Sequence, residues 1–148
     1  MEFKQCLEEG EKSEYEFMDI LKKQWEGDSL AKIEKSNSHD YDIKVSTPSS
    51  KVTYEIKTDL LVNETGNVAV EMEKTISGEK KKSGLSVSKA DFYVYKLIRD
   101  PFFYVIPTKQ LRQFIIDNSF REEVGGDRND YRVVLIPKEQ FCSQCVQI

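Results

Sequence analysis

The sequence predicts an α/β fold, a central mixed β-sheet flanked by helices, in one domain spanning residues 1–148. Three observations carry this reading. A long proline-free run with apolar residues at helical spacing opens the chain. Short β-prone runs of alternating character follow it. A second amphipathic run then separates these strands from a last one. The chain is long enough for a real hydrophobic core, and 39% hydrophobic with 32% charged residues reads as soluble and globular. No repeat, low-complexity tail or linker marks a second domain.

Glu2 to Trp25 is the first helix, rich in helix formers, with an apolar stripe through Leu7, Phe17, Met18, Leu21 and Trp25. Gly27-Asp28 ends it. Glu14 precedes Phe17 and Met18 by three and four positions, which puts a carboxylate on the stripe, whereas Glu16 and Asp19 fall off it. Such a group needs a partner or a metal, unless it lies at the stripe's edge and reaches water. Leu30 to Lys35 and Tyr41 to Val45 are the first two strands, joined by S-N-S-H-D. In the second, Tyr41, Ile43 and Val45 share one face, and Asp42 and Lys44 the other. S-T-P-S-S-K, with Pro48, is a turn. Val52 to Val62 is the third strand, with Tyr54 and Ile56 on one face and Glu55, Lys57 and Asp59 on the other. Asn63 to Asn67 is a hairpin turn in which Gly66 supplies a positive φ, and Val68 to Glu73 is the fourth strand.

Ser77 to Gly84 is a glycine-bounded mobile loop, and its Lys80, Lys81 and Lys82 are the densest positive charge in the chain. It is either a solvated loop or a phosphate-contacting flap. Lys89 follows in a segment of one or two helical turns. Phe92 to Ile98 and Phe102 to Ile106 are hairpin strands across Asp100-Pro101. Thr108 caps a helix to about Asn118, with Leu111, Phe114 and Ile115 as its stripe. Glu122 to Asp130 is a polar loop, Tyr131 to Ile136 a last strand, and Pro137 starts a short terminal helix.

A net charge of −4 argues against a general basic coat, so any nucleic-acid contact must be a local patch. No apolar run is long enough to span a bilayer, and M-E-F-K-Q lacks a signal-peptide core, so the expected location is the cytoplasm. Cys6, Cys142 and Cys145 form no even framework, which fits a reducing compartment. A single histidine, His39, excludes a His-rich zinc site, and Cys142-x-x-Cys145 lacks a second pair. His39 is either a polar loop residue or within reach of the cleft.

The hairpin across Pro48 brings Asp42 beside Glu55 and Lys57. Phosphodiester hydrolysis needs a positioned water, neutralised phosphate charge and a stabilised leaving oxygen, much of which Mg²⁺ or Mn²⁺ supplies. Asp42 and Glu55 are suitable ligands, the Ile56 carbonyl a further one, and Glu14 completes the cluster from the helix. Lys57 orients or deprotonates the water, or stabilises transition-state charge. Glu71 and Glu73 either line the cleft or face solvent; Lys89 either touches a substrate backbone or is a surface lysine.

Asp42…Glu55-x-Lys57, with the preceding run G-E-K-S-E-Y-E-F-M-D-I-L, resembles the signature of the PD-(D/E)XK nuclease superfamily from roughly Gly10 to Pro137. The runs S-G-L-S-V-S-K-A-D-F-Y-V-Y and F-Y-V-I-P-T-K-Q-L are similar to its small resolvase-like and phage-type members. Tyr41 stands where the nominal signature has proline. The resemblance implies a restriction-endonuclease-like core of order αβββαβ and a Mg²⁺- or Mn²⁺-dependent endonuclease. Its substrate would be nucleic acid, DNA over RNA, with branched or structured forms included. Asp42, Glu55, Lys57 and Glu14 would be catalytic, and Lys80, Lys81, Lys82 and Lys89 would bind the nucleic acid. Cutting two strands would favour a homodimer, for which the aromatic strands Phe92–Tyr104 are either interface or core. The alternative is a non-catalytic nucleic-acid- or protein-binding module on the same fold. A chance motif would instead leave Glu55 and Lys57 exposed and apart from Asp42 and Glu14.

Overall fold

A computed structural model describes residues 3–125 and 130–148. The helix α1 (Phe3–Gln24) leads into strands β1 (Lys32–Lys35), β2 (Ile43–Ser46) and β3 (Lys51–Asp59). A one-turn helix α2 (Val62–Thr65), strands β4 (Asn67–Ile76) and β5 (Glu79–Lys82) and a 3-10 turn (Gly84–Ser86) follow. Then come β6 (Phe92–Leu97), β7 (Phe103–Pro107), α3 (Thr108–Asp117), β8 (Arg121–Gly125), β9 (Tyr131–Pro137), α4 (Lys138–Ser143) and β10 (Val146–Gln147). The expected helix start at Glu2 lies outside the described residues. Among the described residues, no helix is long and apolar enough to cross a membrane.

The strands form two sheets. The central one is mixed, in the order β1-β2-β3-β6-β7-β10, with β3 and β6 parallel and the other neighbours antiparallel. The second is antiparallel, in the order β5-β4-β9-β8. The helix α1 covers one face of the mixed sheet, burying Phe17, Met18 and Leu21 against Ile43, Val45, Ile56, Val94 and Phe103. Phe17 meets the Tyr54 ring edge-on at 5.3 Å. Burying Phe17 and Leu21 contributes roughly 1.5–3 kcal/mol each, so this contact anchors the helix against β3. On the opposite face, Tyr93, Tyr95 and Leu97 pack with Val68 and Val70 of the second sheet, Leu111 of α3 and Phe141 of α4. Because β6 is buried on both sides, its sequence opens with the uninterrupted apolar run F-Y-V-Y. The aromatic strands are therefore core, although Phe102 in the intervening turn is exposed.

Several expectations need correction. Leu7 is exposed. Asp42 precedes its strand, because β2 begins at Ile43. The third strand ends at Asp59, and the chain reverses through α2 with Gly66 at φ 74°. No hairpin joins β3 to β4: β4 departs to pair with β9. The Lys-rich segment is an ordered hairpin, in which Ser77 and Gly78 (φ 52° and 80°) turn β4 into β5. Two consecutive positive φ angles match the twist of a tight hairpin, and lysines suit an exposed edge strand. Thr108 is the first helical residue of α3 and caps nothing; Pro107 precedes the helix, and the Thr108 hydroxyl is buried without a partner. The expected polar loop at Glu122 is strand β8, paired with β9; its residues 126–129 lie outside the described residues. Polar composition misled there because an edge strand can be exposed along its whole length.

Candidate active site

The hairpin β2–β3 closes through Thr47 and Ser50, whose N–H to O bond is 2.8 Å. Its register sets Ile43 opposite Tyr54, so β2 ends beside Tyr54 while β3 runs on to Asp59. This leaves a gap on the β2 side of β3. Asp42 lies at its mouth: its N–H donates to the Tyr54 carbonyl at 2.9 Å, and its Oδ2 accepts the Ile56 N–H at 2.7 Å. The side chain thus satisfies an amide that a longer β2 would have taken. The N–H and C=O of one strand residue point to the same side, so the Ile56 carbonyl shares the gap.

Alternation puts Glu55 and Lys57 on the face of β3 whose register partners are Tyr93 and Tyr95. Lys57 Nζ lies 3.2 Å from Glu55 Oε1. The helix is fixed over β3 by the Thr58 hydroxyl, which donates to Ser13 Oγ at 2.8 Å. The next residue, Glu14, is half-buried and pairs with Lys35 at the end of β1, Oε2 to Nζ at 3.1 Å. Lys57 also borders a cavity of about 690 Å³ between the two sheets, shared with Glu71, Gly84, Tyr93, Tyr95 and Arg121. Gly84 is required there: at φ 54°, a Cβ would meet the Glu71 carbonyl oxygen at 2.3 Å.

Charge couples these groups. Burial raises the Asp42 carboxyl, opposed by the Ile56 N–H and by Lys57 and Lys35. Burial also raises Glu55; Lys57 opposes it, while the like charges of Asp42 and Glu14 add to it. For Lys57, burial pulls downward, but Glu55, Tyr93 and Asp42 together hold the ammonium above the ordinary lysine range. Burial pushes the Tyr93 hydroxyl up to about 12, so it remains protonated.

Can this set hold a divalent cation? Among the described residues, no three His, Cys, Asp or Glu side chains converge into a closed cage. Mg²⁺ does not require one, since it takes one or two carboxylates and keeps waters and substrate phosphate for the rest. Asp42 and Glu55 fit that mode. The protein claims one oxygen of each, Oδ2 by Ile56 and Oε1 by Lys57, and among the described residues the other oxygen accepts no hydrogen bond. All these donors are hard oxygens, as Mg²⁺ and Mn²⁺ prefer. Glu14 is held by Lys35, outside this pair.

Lys80, Lys81 and Lys82 are exposed on β5, at the edge of the second sheet, and Lys89 is exposed before β6. None of the four pairs with the acidic cluster. Glu71 lines the inter-sheet cavity, whereas Glu73 faces Arg132 at 3.8 Å. His39 is exposed in the polar turn before Asp42. The three cysteines are free. Sequence reasoning missed Lys35. The signal was its place in β1: Ile33 and Lys35 alternate onto the face that pairs with Val45 and Ile43, where an apolar residue was due.

No family model matches the chain, and no curated protein does. Solved structures do resemble it. One is a bacterial homing endonuclease, I-Ssp6803I, at 15% identity and a TM-score of 0.52, covering 92% of this chain and 78% of that one. Another is Archaeoglobus fulgidus Hjc, a Holliday junction resolvase from an archaeal hyperthermophile. It is 11% identical, with a TM-score of 0.46, over 95% of this chain and 92% of that one. At 15% identity the likeness to the homing endonuclease speaks to architecture alone: the chain shares that fold, a mixed sheet flanked by helices.

Proposed function

We propose that this chain is a divalent-metal-dependent endonuclease that hydrolyses phosphodiester bonds in nucleic acid, DNA in preference to RNA. One observation carries the reading. Asp42 and Glu55 flank the Ile56 backbone in a gap of the sheet, each with an unclaimed carboxylate oxygen, and Lys57 stands beside them. Folding alone does not call for three charged side chains at that point, because burial penalises them.

Asp42, Glu55 and the Ile56 carbonyl would hold Mg²⁺ or Mn²⁺, with Glu14 in support. When bound, the ion supplies Lewis acidity toward the phosphate and a more acidic water. The chain's residues then divide the remaining work. Lys57, 3.2 Å from Glu55, acts as a charged donor that orients the water and a phosphate oxygen. It is not the base. The water oxygen attacks phosphorus as the water gives up a proton to solvent, the bond to the leaving sugar oxygen breaks, and that oxygen gains a proton from solvent. Lys80, Lys81, Lys82 and Lys89 would contact flanking phosphates, which positions the strand without reading its sequence.

The test is cleavage of duplex, nicked, branched and single-stranded DNA and of RNA with Mg²⁺ or Mn²⁺, by wild type and by Asp42→Ala, Glu55→Ala and Lys57→Ala. Metal-dependent cutting that falls by about 10²-fold or more in each variant is expected. A folded, metal-loaded wild type that cuts no member would overturn the reading.

A further inference from the structure

We propose that Lys35 is a positioning residue that holds Glu14 away from the Asp42–Glu55 pair until a substrate phosphate draws its ammonium off. This rests on the nuclease reading above and adds to it a coupling between metal and substrate. Lys35 Nζ is 3.1 Å from Glu14 Oε2 and 4.4 Å above the Tyr15 ring, so two neighbouring residues of α1 hold one ammonium. The site would otherwise have a third carboxylate to offer. Glu14 is close enough to Glu55, and Lys35 to Asp42, for their charges to be felt there. Yet no three acidic side chains converge among the described residues, and the group that engages Glu14 is Lys35.

The latch can open. The Lys35 side chain is 32% exposed and that of Glu14 23%, so solvent and a ligand can reach the pair. Ion pairs of this exposure are weak. A phosphate oxygen offers Lys35 a charge-assisted bond at least as strong. Once Lys35 turns to that phosphate, Glu14 is free to face the metal. Thermodynamic reciprocity then requires that substrate tighten metal binding and metal tighten substrate binding by the same factor.

The experiment is Mn²⁺ binding by calorimetry, with and without a DNA carrying non-cleavable phosphate linkages. It uses wild type, Lys35→Met, Glu14→Gln, the double variant and Lys35→Arg. Lys35→Met keeps the aliphatic stem over Tyr15 and should bind Mn²⁺ about two- to fivefold tighter than wild type without DNA. That gain should vanish in the Glu14→Gln background, and Lys35→Arg should behave as wild type. DNA should tighten Mn²⁺ on wild type more than on Lys35→Met. Equal or weaker Mn²⁺ binding by Lys35→Met would overturn the latch. So would a gain that survives Glu14→Gln, because simple removal of positive charge would then explain it. Both results leave the nuclease reading intact; a wild type that takes up no Mn²⁺ with or without DNA would remove that reading, and the latch with it.

Discussion

Two positions on β3 hold carboxylates of opposite kind. At its far end, Asp59 is buried, and both its oxygens are taken: Oδ1 accepts the Leu61 N–H and Oδ2 the Ala69 N–H, each at 3.0 Å. These amides belong to the chain reversal and to β4, so Asp59 ties the second sheet to the first. In the middle of the same strand, Glu55 is bound only by Lys57, and Asp42 only through one oxygen to Ile56. Glu55 and Asp59 lie on one face of one strand. The difference lies in what the backbone leaves unused. A carboxylate whose lone pairs are filled by amides is architecture, and one with an open oxygen can take a ligand.

That contrast can be broken from either side. The largest expected effect is on catalysis: Asp42→Ala and Glu55→Ala should each lower single-turnover cleavage by about 10²–10³-fold, while the urea midpoint of Glu55→Ala changes little. Asp59→Ala should do the reverse. Two part-buried amide hydrogen bonds lose their charged acceptor, so it should cost about 2–4 kcal/mol in urea unfolding, with cutting per folded molecule retained. The cations divide in the same way, since Lys57 is paired whereas Lys80, Lys81 and Lys82 are exposed. Replacing all three by alanine should weaken DNA binding and flatten its dependence on log salt by about 3, read from binding isotherms at several salt concentrations.

The smallest effect is a pH dependence of stability. Glu55 binds its proton more tightly folded than unfolded. The folded state is therefore favoured below the ordinary carboxylate pKa of 4.5, and that advantage is lost as pH rises through the higher folded value. Glu55→Gln should accordingly be more stable than wild type at pH 7 and show no such gain at pH 3, by thermal unfolding. Added Mg²⁺ should narrow the gap at pH 7, because only wild type retains the ligand.

The grouping of Asp42, Glu55 and Lys57 was legible in the sequence because its parts are local. Alternation placed Tyr54 and Ile56 against Glu55 and Lys57, and Pro48 located the turn that returns the chain to Asp42. Phe17, Met18 and Leu21 marked the buried stripe of α1 in the same way. What alternation reports is a face, never a partner. It grouped Asp59 with Glu55 and Lys57, and only the long-range approach of Ala69 separates their roles. The second sheet was illegible for the same reason: β4 and β9 are far apart in sequence, and β8, R-E-E-V-G, is too polar to look like a strand. Lys35 was hidden because its partner lies on another element.

The most direct test of the central claim is a side-by-side assay of Glu55→Ala and Asp59→Ala for Mn²⁺-dependent DNA cleavage, each corrected for the fraction folded. The expected result is a folded Glu55→Ala protein that does not cut and a destabilised Asp59→Ala protein that does. Cutting at the wild-type rate by Glu55→Ala would place the chemistry elsewhere and contradict the account.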